Sequence, residues 1–373
     1  MIPFNRPALS GREQTYVNEA LASLRLSGDG PFCRRSEKLL EETTGARRAL
    51  LTTSCTHALE MSAFLLDIAP GDEVIVPAFT FVSTVNAFVL RGARPIFADV
   101  RPDTLNLDEA QLPSLVTART KAIVPVHYAG VGCEMDAINA IAAKANAVAV
   151  EDNAHGLFGT YRGKMLGTLG ALATQSFHDT KNFTCGEGGA LLVNDPRFAE
   201  RAEILREKGT NRSRFFRGQV DKYTWVDVGS SYVLSDILGA LLYSQLEQRD
   251  DIQSRRARIW NRYNAELAEW TTARGFRRPI VPAHCEQTFH MFYLLMPADR
   301  RGPFIDHLKA KGVQAVFHYQ ALNTSPMGLA HGGKAGQCPV TERVSDELVR
   351  LPLYNDMTEA DHGAVIDAVR SFG

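Results

Sequence analysis

The chain has 373 residues, of which 45% are hydrophobic and 22% charged, a composition typical of a globular protein with two domains or with one large domain and a smaller appendage. Its 41 basic and 42 acidic residues give a formal net charge of −1, so no global field attracts nucleic acid or an anionic membrane. No apolar run reaches membrane-spanning length, and a helical membrane protein is therefore not expected.

The cysteines are scattered, without CxxC pairs or the spacing of a zinc site; they are Cys33, Cys55, Cys133, Cys185, Cys285 and Cys338. A disulfide framework is not expected in a chain of this size, so the cysteines predict a reducing, cytoplasmic setting and no metal centre. The first residues, from Met1 to Arg6, lack the basic flank and apolar core of a signal peptide.

Short apolar, β-branched runs alternate with helical patterns through the first half of the chain. The predicted strands are Ala49–Thr52, Glu73–Val76, Pro95–Ala98, Ala122–Val126, Ala147–Val150, Ala171–Ser176 and Ala190–Val193. The predicted helices are Thr56–Asp67, Phe81–Arg91, Met135–Ala145 and Arg197–Lys208. Strands without polar alternation are typical of a parallel sheet covered on both faces. Their alternation with helices predicts an α/β sandwich with right-handed crossovers.

A long helical pattern then begins near Leu234 and extends, with or without a break, to Trp270. Residues 275–373 mix two predicted strands, Met291–Met296 and Ala315–His318, with amphipathic helices, which is the pattern of a smaller α+β domain. We therefore divide the chain into a large α/β domain over residues 1–250 and a small C-terminal α+β domain over residues 251–373.

Polar segments follow several of the predicted strands, at the edge where open α/β sheets bind ligands. The first, from Thr52 to Ala58, is a small polar turn before a helix. Its free N–H groups and the helix dipole suit a phosphate, although a simple Ser/Thr helix cap has the same pattern. The second, from Pro77 to Thr84, places an aromatic residue after a strand, either in the core or stacked on a flat heterocycle.

Two later segments contain candidate catalytic groups. One strand ends in Glu151 and Asp152, and such a carboxylate either caps a helix or faces a protonated ring nitrogen. Another strand ends at Ser176 and leads to Lys181 and a glycine-rich turn over residues 186–189. A lysine amine beside a carbonyl cofactor can form a Schiff base, whereas a loop lysine is more often simply solvated.

In this order and spacing, the segments resemble the DegT/DnrJ/EryC1/StrS family of sugar aminotransferases, within the fold-type I aminotransferase superfamily. The similarity covers essentially the whole chain, from Ile2 to Leu353. Its most specific elements are Glu151-Asp152 with Ala154-His155, and Ser176-Phe177-His178 leading to Lys181 and Gly188-Gly189. The resemblance implies a mostly parallel central sheet sandwiched by helices, with a smaller C-terminal α+β domain.

The resemblance also implies the cofactor, pyridoxal 5′-phosphate (PLP), and a set of residues that hold its ring. Lys181 is the catalytic residue and carries the cofactor as a Schiff base, while Asp152 pairs with the pyridine nitrogen. Phe81 stacks against the ring. His155 takes the position near the ring hydroxyl where the family has Gln or His.

The resemblance also implies that the cofactor phosphate is bound by Ser176 and by the backbone of Cys55 and Thr56. One departure concerns the segment before the long helix, where many members have G-x-N-x-R and the Asn reaches the phosphate of the neighbouring subunit. Here the segment is Gly229–Val233, without the Arg, and Ser231 takes the place of the Asn as a hydrogen-bond donor.

Three segments resemble one group of family members in particular: residues 79–84, residues 125–130 and the loop from Gly209 to Trp225. Those members use glutamate to aminate C4 of a dTDP-linked 4-keto-6-deoxy sugar. The substrate contacts that we assign are Arg212, Arg214, Arg217 and His318. Arginine suits bidentate contact with a nucleotide diphosphate, although a solvated basic loop has the same composition. The aromatic residues of the loop and the family architecture predict a homodimer with active sites at the interface.

Three alternatives stay open. The substrate could be another nucleotide sugar, with a 3-keto group or a GDP or UDP carrier. Relatives that dehydrate sugars have a His in place of the Schiff-base lysine, and the presence of Lys181 favours transamination. A non-catalytic PLP-bound regulator would be expected to carry a DNA-binding module, and no basic helix-turn-helix segment is evident.

Overall fold

The computed structural model describes all 373 residues. Its strands are β1 (Arg48–Thr52), β2 (Glu73–Pro77), β3 (Arg94–Ala98), β4 (Thr120–Ile123), β5 (Val148–Asp152), β6 (Thr160–Tyr161), β7 (Lys164–Met165), β8 (Leu172–Ser176), β9 (Gly189–Val193), β10 (Cys285–Glu286), β11 (Phe292–Leu295) and β12 (Leu348–Leu351). Its helices are α1 (Glu13–Ala22), α2 (Pro31–Thr44), α3 (Cys55–Leu65), α4 (Val82–Val89), α5 (Leu112–Leu115), α6 (Met135–Lys144), α7 (Ala199–Arg206), α8 (Arg212–Phe216), α9 (Asp236–Glu247), α10 (Arg249–Glu266), α11 (Ala268–Ala273), α12 (Ala298–Ala310), α13 (Pro326–Ala330), α14 (Pro339–Glu347) and α15 (Glu359–Arg370). None of these helices has both the length and the apolar character needed to cross a membrane.

Seven strands form the central sheet in the order β1-β9-β8-β5-β4-β2-β3. The strands from β8 to β3 are parallel to one another, and only β9 runs antiparallel to its neighbours, β1 and β8. The mostly parallel α/β sheet expected from the sequence is therefore confirmed, with one reversed strand that the apolar pattern did not predict.

Both faces of the sheet are buried because successive residues of each strand enter different cores. Leu50 packs on one face with α3, α4 and α7, whereas its neighbour Leu51 packs on the other face with α2 and α9. In the same way Val74 faces α3 and α4, and Ile75 faces α6. This two-sided burial explains why the strands are apolar without alternation.

One edge of the sheet collects the polar strand ends. Strand β5 ends at Asp152 and its neighbour β8 ends at Ser176. Because β9 runs in the opposite direction, it begins at this edge with Gly189, paired with Ser176 on one side and with Thr52 of β1 on the other. Four segments that are distant in sequence therefore meet at one edge, which is where ligands bind in sheets of this type.

The C-terminal part of the chain has its own apolar core around the β11–β12 hairpin. Helices α10, α12 and α15 contribute residues such as Trp260, Phe304 and Val365, all of them buried. A separate cluster joins this region to the large sheet, since Phe79 and Tyr128 pack with Tyr293 of β11. Helix α10 begins at Arg249, so the proposed domain boundary at residue 250 falls at its first turn.

Most of the predicted elements occur within a few residues of their expected bounds. The long helical pattern is broken into α9, α10 and α11. The strand predicted over Ala315–His318 is wrong, because only Val316 bridges to Arg350 of β12. Tyr319, three residues after Val316, has a positive φ of 37°, which is outside the range of a β-strand.

Candidate active site

The polar edge of the sheet opens into a cavity of about 520 Å³ between the large sheet and the C-terminal region. It is lined by residues at the ends of β1, β2, β4, β5 and β8, at the start of β9 and in three C-terminal segments: Ser54, Cys55, Thr56, Leu59, Thr80, Phe81, Ser83, Thr84, Val126, Asp152, Ala154, His155, Ser176, His178, Thr180, Lys181, Glu187, Gly188, His290, His318, Tyr319 and Arg350. Eight of the residues assigned from the sequence are among them: Cys55, Thr56, Phe81, Asp152, His155, Ser176, Lys181 and His318.

The N-terminus of α3 forms one end of the cavity. Ser54 is the N-cap residue, in an extended conformation, and its hydroxyl accepts a hydrogen bond from the backbone N–H of His57 at 3.1 Å. Thr56, in the first turn, shares a 2.8 Å hydrogen bond with Ser83 of α4. The strand β9 passes so close that a Cβ atom on Gly189 would collide with the backbone nitrogen of Cys55. This end therefore combines free helix N–H groups, hydroxyls and the positive end of the helix dipole.

Asp152 lies at the centre of the cavity, almost fully buried. Its Oδ2 accepts a 2.7 Å hydrogen bond from the hydroxyl of Thr84, and its Oδ1 accepts one from the backbone N–H of Ala154 at 3.1 Å. Thr84 is in turn held by a 2.9 Å hydrogen bond with Thr80. Burial raises the pKa of the Asp152 carboxyl, while the bonds from Thr84 and Ala154 act in the opposite direction. A buried carboxylate without an ion-pair partner is well suited to pair with a cationic ligand.

Lys181 comes from the loop between β8 and β9. The loop is closed by the hydrogen bond from the N–H of Phe177 to the carbonyl of Gly188 at 2.8 Å, and the N–H of Lys181 donates to the carbonyl of His178 at 2.9 Å. Burial lowers the pKa of the Lys181 amine from 10.5 to about 8, against the opposing influence of Asp152. At pH 7 about a tenth of the amine is therefore neutral and nucleophilic, a few hundred times more than for a lysine with a pKa of 10.5.

A cluster of aromatic and imidazole rings forms the wall opposite α3. The ring of His155 stacks on that of His290, with centroids 4.2 Å apart and planes at 18°. His290 is fixed by a 2.8 Å hydrogen bond between its Nδ1 and the Oδ1 of Asn182. His318 shares a 2.9 Å hydrogen bond with the hydroxyl of Tyr128. Burial lowers the pKa of all three histidines well below 6.5, so they are neutral at physiological pH.

These groups fit the chemistry of PLP. The N–H groups at the start of α3 can bind the phosphate, and the carboxylate of Asp152 can pair with the pyridine nitrogen. The amine of Lys181 can react with the aldehyde. Two further observations support the fit. His155 has a buried Nδ1 atom without any hydrogen-bond partner, so it can still bond to a ring substituent. Phe81 exposes 56% of its surface at the mouth of the cavity, where an aromatic ring would cover it.

The remaining assigned residues lie outside the cavity of their own chain. Ser231 is exposed and bridges to Glu207. The three arginines form ion pairs on the surface: Arg212 with Glu207 at 3.8 Å, Arg214 with Glu200 at 3.0 Å, and Arg217 with Glu203 at 2.8 Å. Within one chain, therefore, neither Ser231 nor these arginines contact a ligand in the cavity.

Sequence reasoning missed four residues that shape the cavity. Thr84 lies in a segment that was singled out, yet its contact with Asp152 depends on how α4 packs. His290, Tyr319 and Arg350 come from the C-terminal region. No local pattern marks them, because they reach the cavity only through the packing of that region against the large sheet.

Comparison with known proteins agrees with this geometry. Residues 7–370 match the model of the DegT/DnrJ/EryC1/StrS aminotransferase family. The spore coat polysaccharide biosynthesis protein SpsC of Bacillus subtilis is 33% identical over 378 residues, which cover 99% of this chain and 96% of SpsC.

Solved structures of similar proteins extend the comparison to three dimensions. The aminotransferase TlmJ from Streptoalloteichus hindustanus superposes with a TM-score of 0.91 at 32% identity, over 100% of this chain and 98% of TlmJ. Spr1654 from Streptococcus pneumoniae, whose PLP form has been solved, superposes with a TM-score of 0.91 at 26% identity, over 99% of this chain and 98% of Spr1654.

Proposed function

The chain belongs to the DegT/DnrJ/EryC1/StrS aminotransferase family and is a PLP-dependent sugar aminotransferase, and we propose that it transfers the amino group of glutamate to C4 of a nucleotide-linked 4-keto-6-deoxy sugar. The observation that carries the site assignment is the meeting of Lys181 and Asp152 in one buried cavity at the strand ends.

When bound, PLP acts as the electron sink for the carbon from which the amino donor loses its proton. Lys181 Nζ is the amine that holds the cofactor covalently. Once the amino donor displaces it, the same nitrogen is free to accept the proton from the donor Cα. In the second half of the reaction Lys181 Nζ returns a proton to C4 of the sugar. A pKa of about 8 suits both directions of transfer, because catalytic acids and bases work best with pKa values near the operating pH.

Asp152 keeps the pyridine nitrogen protonated, which a neutral group in its place would not do. Thr84 and the N–H of Ala154 orient the carboxylate and use the rest of its hydrogen-bonding capacity. The hydroxyls of Ser176 and Thr56, with the first N–H groups of α3, hold the phosphate and so fix the position of the ring relative to Lys181. His155, neutral and backed by His290, donates or accepts at the ring hydroxyl.

We propose that the substrate is dTDP-4-dehydro-6-deoxyglucose and that the product is dTDP-4-amino-4,6-dideoxygalactose. The similarity of residues 79–84, 125–130 and 209–225 to members with this specificity supports the proposal. The similarity to SpsC, a polysaccharide biosynthesis protein, supports a role in making a surface polysaccharide. The six cysteines are free, which is in keeping with the cytoplasmic setting that we propose.

We also propose a homodimer in which each chain completes the site of the other. The loop of residues 209–225 exposes 76% of Trp225 and 69% of Phe216, and apolar surface of this kind is typical of an interface. In such a dimer Arg212, Arg214, Arg217 and Ser231 would reach the partner's cavity, where the arginines would bind the nucleotide diphosphate. Their position outside the cavity of their own chain is consistent with that role.

The test is an assay of the purified protein with PLP, glutamate and a panel of dTDP-, UDP- and GDP-linked 3-keto and 4-keto sugars. We expect amination of the dTDP-linked 4-keto sugar, with nitrogen at C4 in the NMR spectrum of the product and one 2-oxoglutarate released per amine formed. Turnover of only a 3-keto or a GDP-linked sugar would overturn the proposed substrate. Dehydration without 2-oxoglutarate release would overturn transamination itself, although the presence of Lys181 argues against that outcome.

A further inference from the structure

Arg350 is a cation in the cavity without a partner. It lies on β12, opposite Tyr293 of β11 in the hairpin, and its backbone N–H and C=O groups form hydrogen bonds with the backbone of Val316. Its guanidinium group makes no hydrogen bond and no ion pair with the protein, and its Nε atom is buried. The two acids of the cavity have other neighbours, since Asp152 is bonded by Thr84 and the Oε1 of Glu187 lies 3.6 Å from the Nε2 of His178. Burial lowers the pKa of Arg350 below its usual value.

The two fully buried arginines of the chain, Arg206 and Arg256, each donate three hydrogen bonds to the protein. Arg256 donates to the carbonyls of Phe289 and His290 and to the side chain of Asn355. Arg206 forms a 2.6 Å ion pair with Glu37. A buried guanidinium that only stabilises the fold is expected to have such partners, because an unpaired buried charge is costly. Arg350 therefore has a bonding capacity that the protein itself leaves unused.

The surroundings hold the guanidinium in place for a ligand. The ring of Phe4, from the N-terminal segment, lies 4.5 Å from its central carbon and covers one face. The pKa values of the Lys181 amine and of the His155 ring are lowered mainly by burial. The positive charge of Arg350 lowers both of them further. Arg350 and Lys181 both line this cavity.

We infer that Arg350 binds the α-carboxylate of the amino donor, an inference that rests on the proposed transamination and adds the residue that selects an amino acid. In an α-amino acid one carbon separates the reacting nitrogen from the carboxylate. A donor that reacts at the site of Lys181 must therefore place its carboxylate within the same cavity. The diphosphate of a nucleotide sugar is attached at C1, with the sugar ring between it and C4, so it extends away from the reacting atoms. The planar guanidinium matches a carboxylate in a bidentate manner.

The test measures binding of glutarate, a dicarboxylate without an amine, and of dTDP to the PLP-loaded protein by calorimetry. Three variants are compared: Arg350→Gln, Arg350→Lys, and the matched control Arg343→Gln, which removes an exposed arginine of α14 that pairs only with Glu347. We expect Arg350→Gln to raise the Kd of glutarate by about 10- to 100-fold, the range for a lost charge-assisted bond. Arg350→Lys should weaken it several-fold, and Arg343→Gln should leave it unchanged. Binding of dTDP should be the same in all four proteins.

A second readout follows the change in cofactor absorption when glutamate is added, without any sugar. The concentration of glutamate for half-maximal change should rise in parallel with the Kd of glutarate. Unchanged glutarate binding in Arg350→Lys and Arg350→Gln would overturn the inference, and weaker dTDP binding with normal glutarate binding would assign Arg350 to the nucleotide instead. Because neither readout uses the sugar, an error in the proposed sugar substrate leaves this test intact. If Arg350→Gln does not fold, as judged by melting temperature and cofactor content, Arg350→Lys decides.

Discussion

The amine of Lys181 lies in the cavity, where desolvation lowers its pKa from 10.5 to about 8. Only the neutral amine attacks an aldehyde, and its fraction rises with pH until the pKa is passed. We therefore expect the rate of covalent PLP capture by the cofactor-free protein to rise up to about pH 8 and then to level off. Stopped-flow absorbance between pH 6 and 10.5 measures this rate. A rate that continues to climb to pH 10 would show an ordinary, solvated lysine.

Asp152 has a role that depends on its charge and not on its size. In Asp152→Asn the hydrogen bonds of the side chain are largely kept, but an amide cannot hold the ring nitrogen protonated. An opposite charge within about 4–6 Å shifts the pKa of a titrating group by about 1–3 units, so we expect kcat to fall by roughly 10- to 1000-fold. The affinity for PLP, measured by equilibrium dialysis, should fall far less.

Thr84→Val provides the matched control for this substitution. It removes the hydrogen bond to Asp152 Oδ2 and leaves the carboxylate in place. Its effect on kcat should be smaller than that of Asp152→Asn. Full activity of Asp152→Asn across neutral pH would reduce Asp152 to a structural role in the turn that follows β5.

The helices and strands that the sequence predicts correctly are those that have a clear local pattern of apolar and polar residues. The strands before Asp152 and Ser176 are apolar runs that end in polar residues, and this contrast needs no knowledge of the rest of the fold. The direction of β9 was not predictable in this way, because an apolar run buried on both faces has the same pattern in either orientation. Arg350 and Tyr319 are further examples, since each reaches the cavity through contacts between distant parts of the chain.

The close approach of β9 to the start of α3 makes Gly189 essential for the shape of the phosphate end. A methyl group there would collide with the backbone at Ser54 and Cys55. Such overpacking costs about 1–3 kcal/mol, so Gly189→Ala should lower the melting temperature and weaken PLP binding. Gly302→Ala is the control, because Gly302 lies in α12 with no atom near its would-be Cβ and without a positive φ. Equal stability and equal PLP affinity of the two variants would contradict the account of this end of the site.

For the whole molecule, the proposed dimer predicts that association and activity are linked. The exposed side chains of Trp225 and Phe216 should be buried by the partner chain, and Trp225→Glu would place a charge in that interface. We expect the wild-type protein to sediment as a dimer and Trp225→Glu to shift toward monomer with loss of activity. The control Leu90→Glu adds the same charge at an exposed leucine directly after the C-terminal end of α4, and it should leave both the dimer and the activity unchanged. An active monomer at assay concentrations would contradict the shared site.

Lys181 is the residue that we propose to carry the cofactor in the cavity at the sheet edge. The most direct measurement is borohydride reduction of the PLP-loaded protein, followed by proteolysis and mass spectrometry of the peptides, with Lys181→Ala as the unlabelled control. Reduction makes the covalent link between the amine and the cofactor permanent, so the modified residue can be read from the peptide that carries it. After reduction and proteolysis, we expect to find the pyridoxyl group on Lys181 alone. A label on a different lysine, or bound PLP that reduction attaches to no residue, would contradict it.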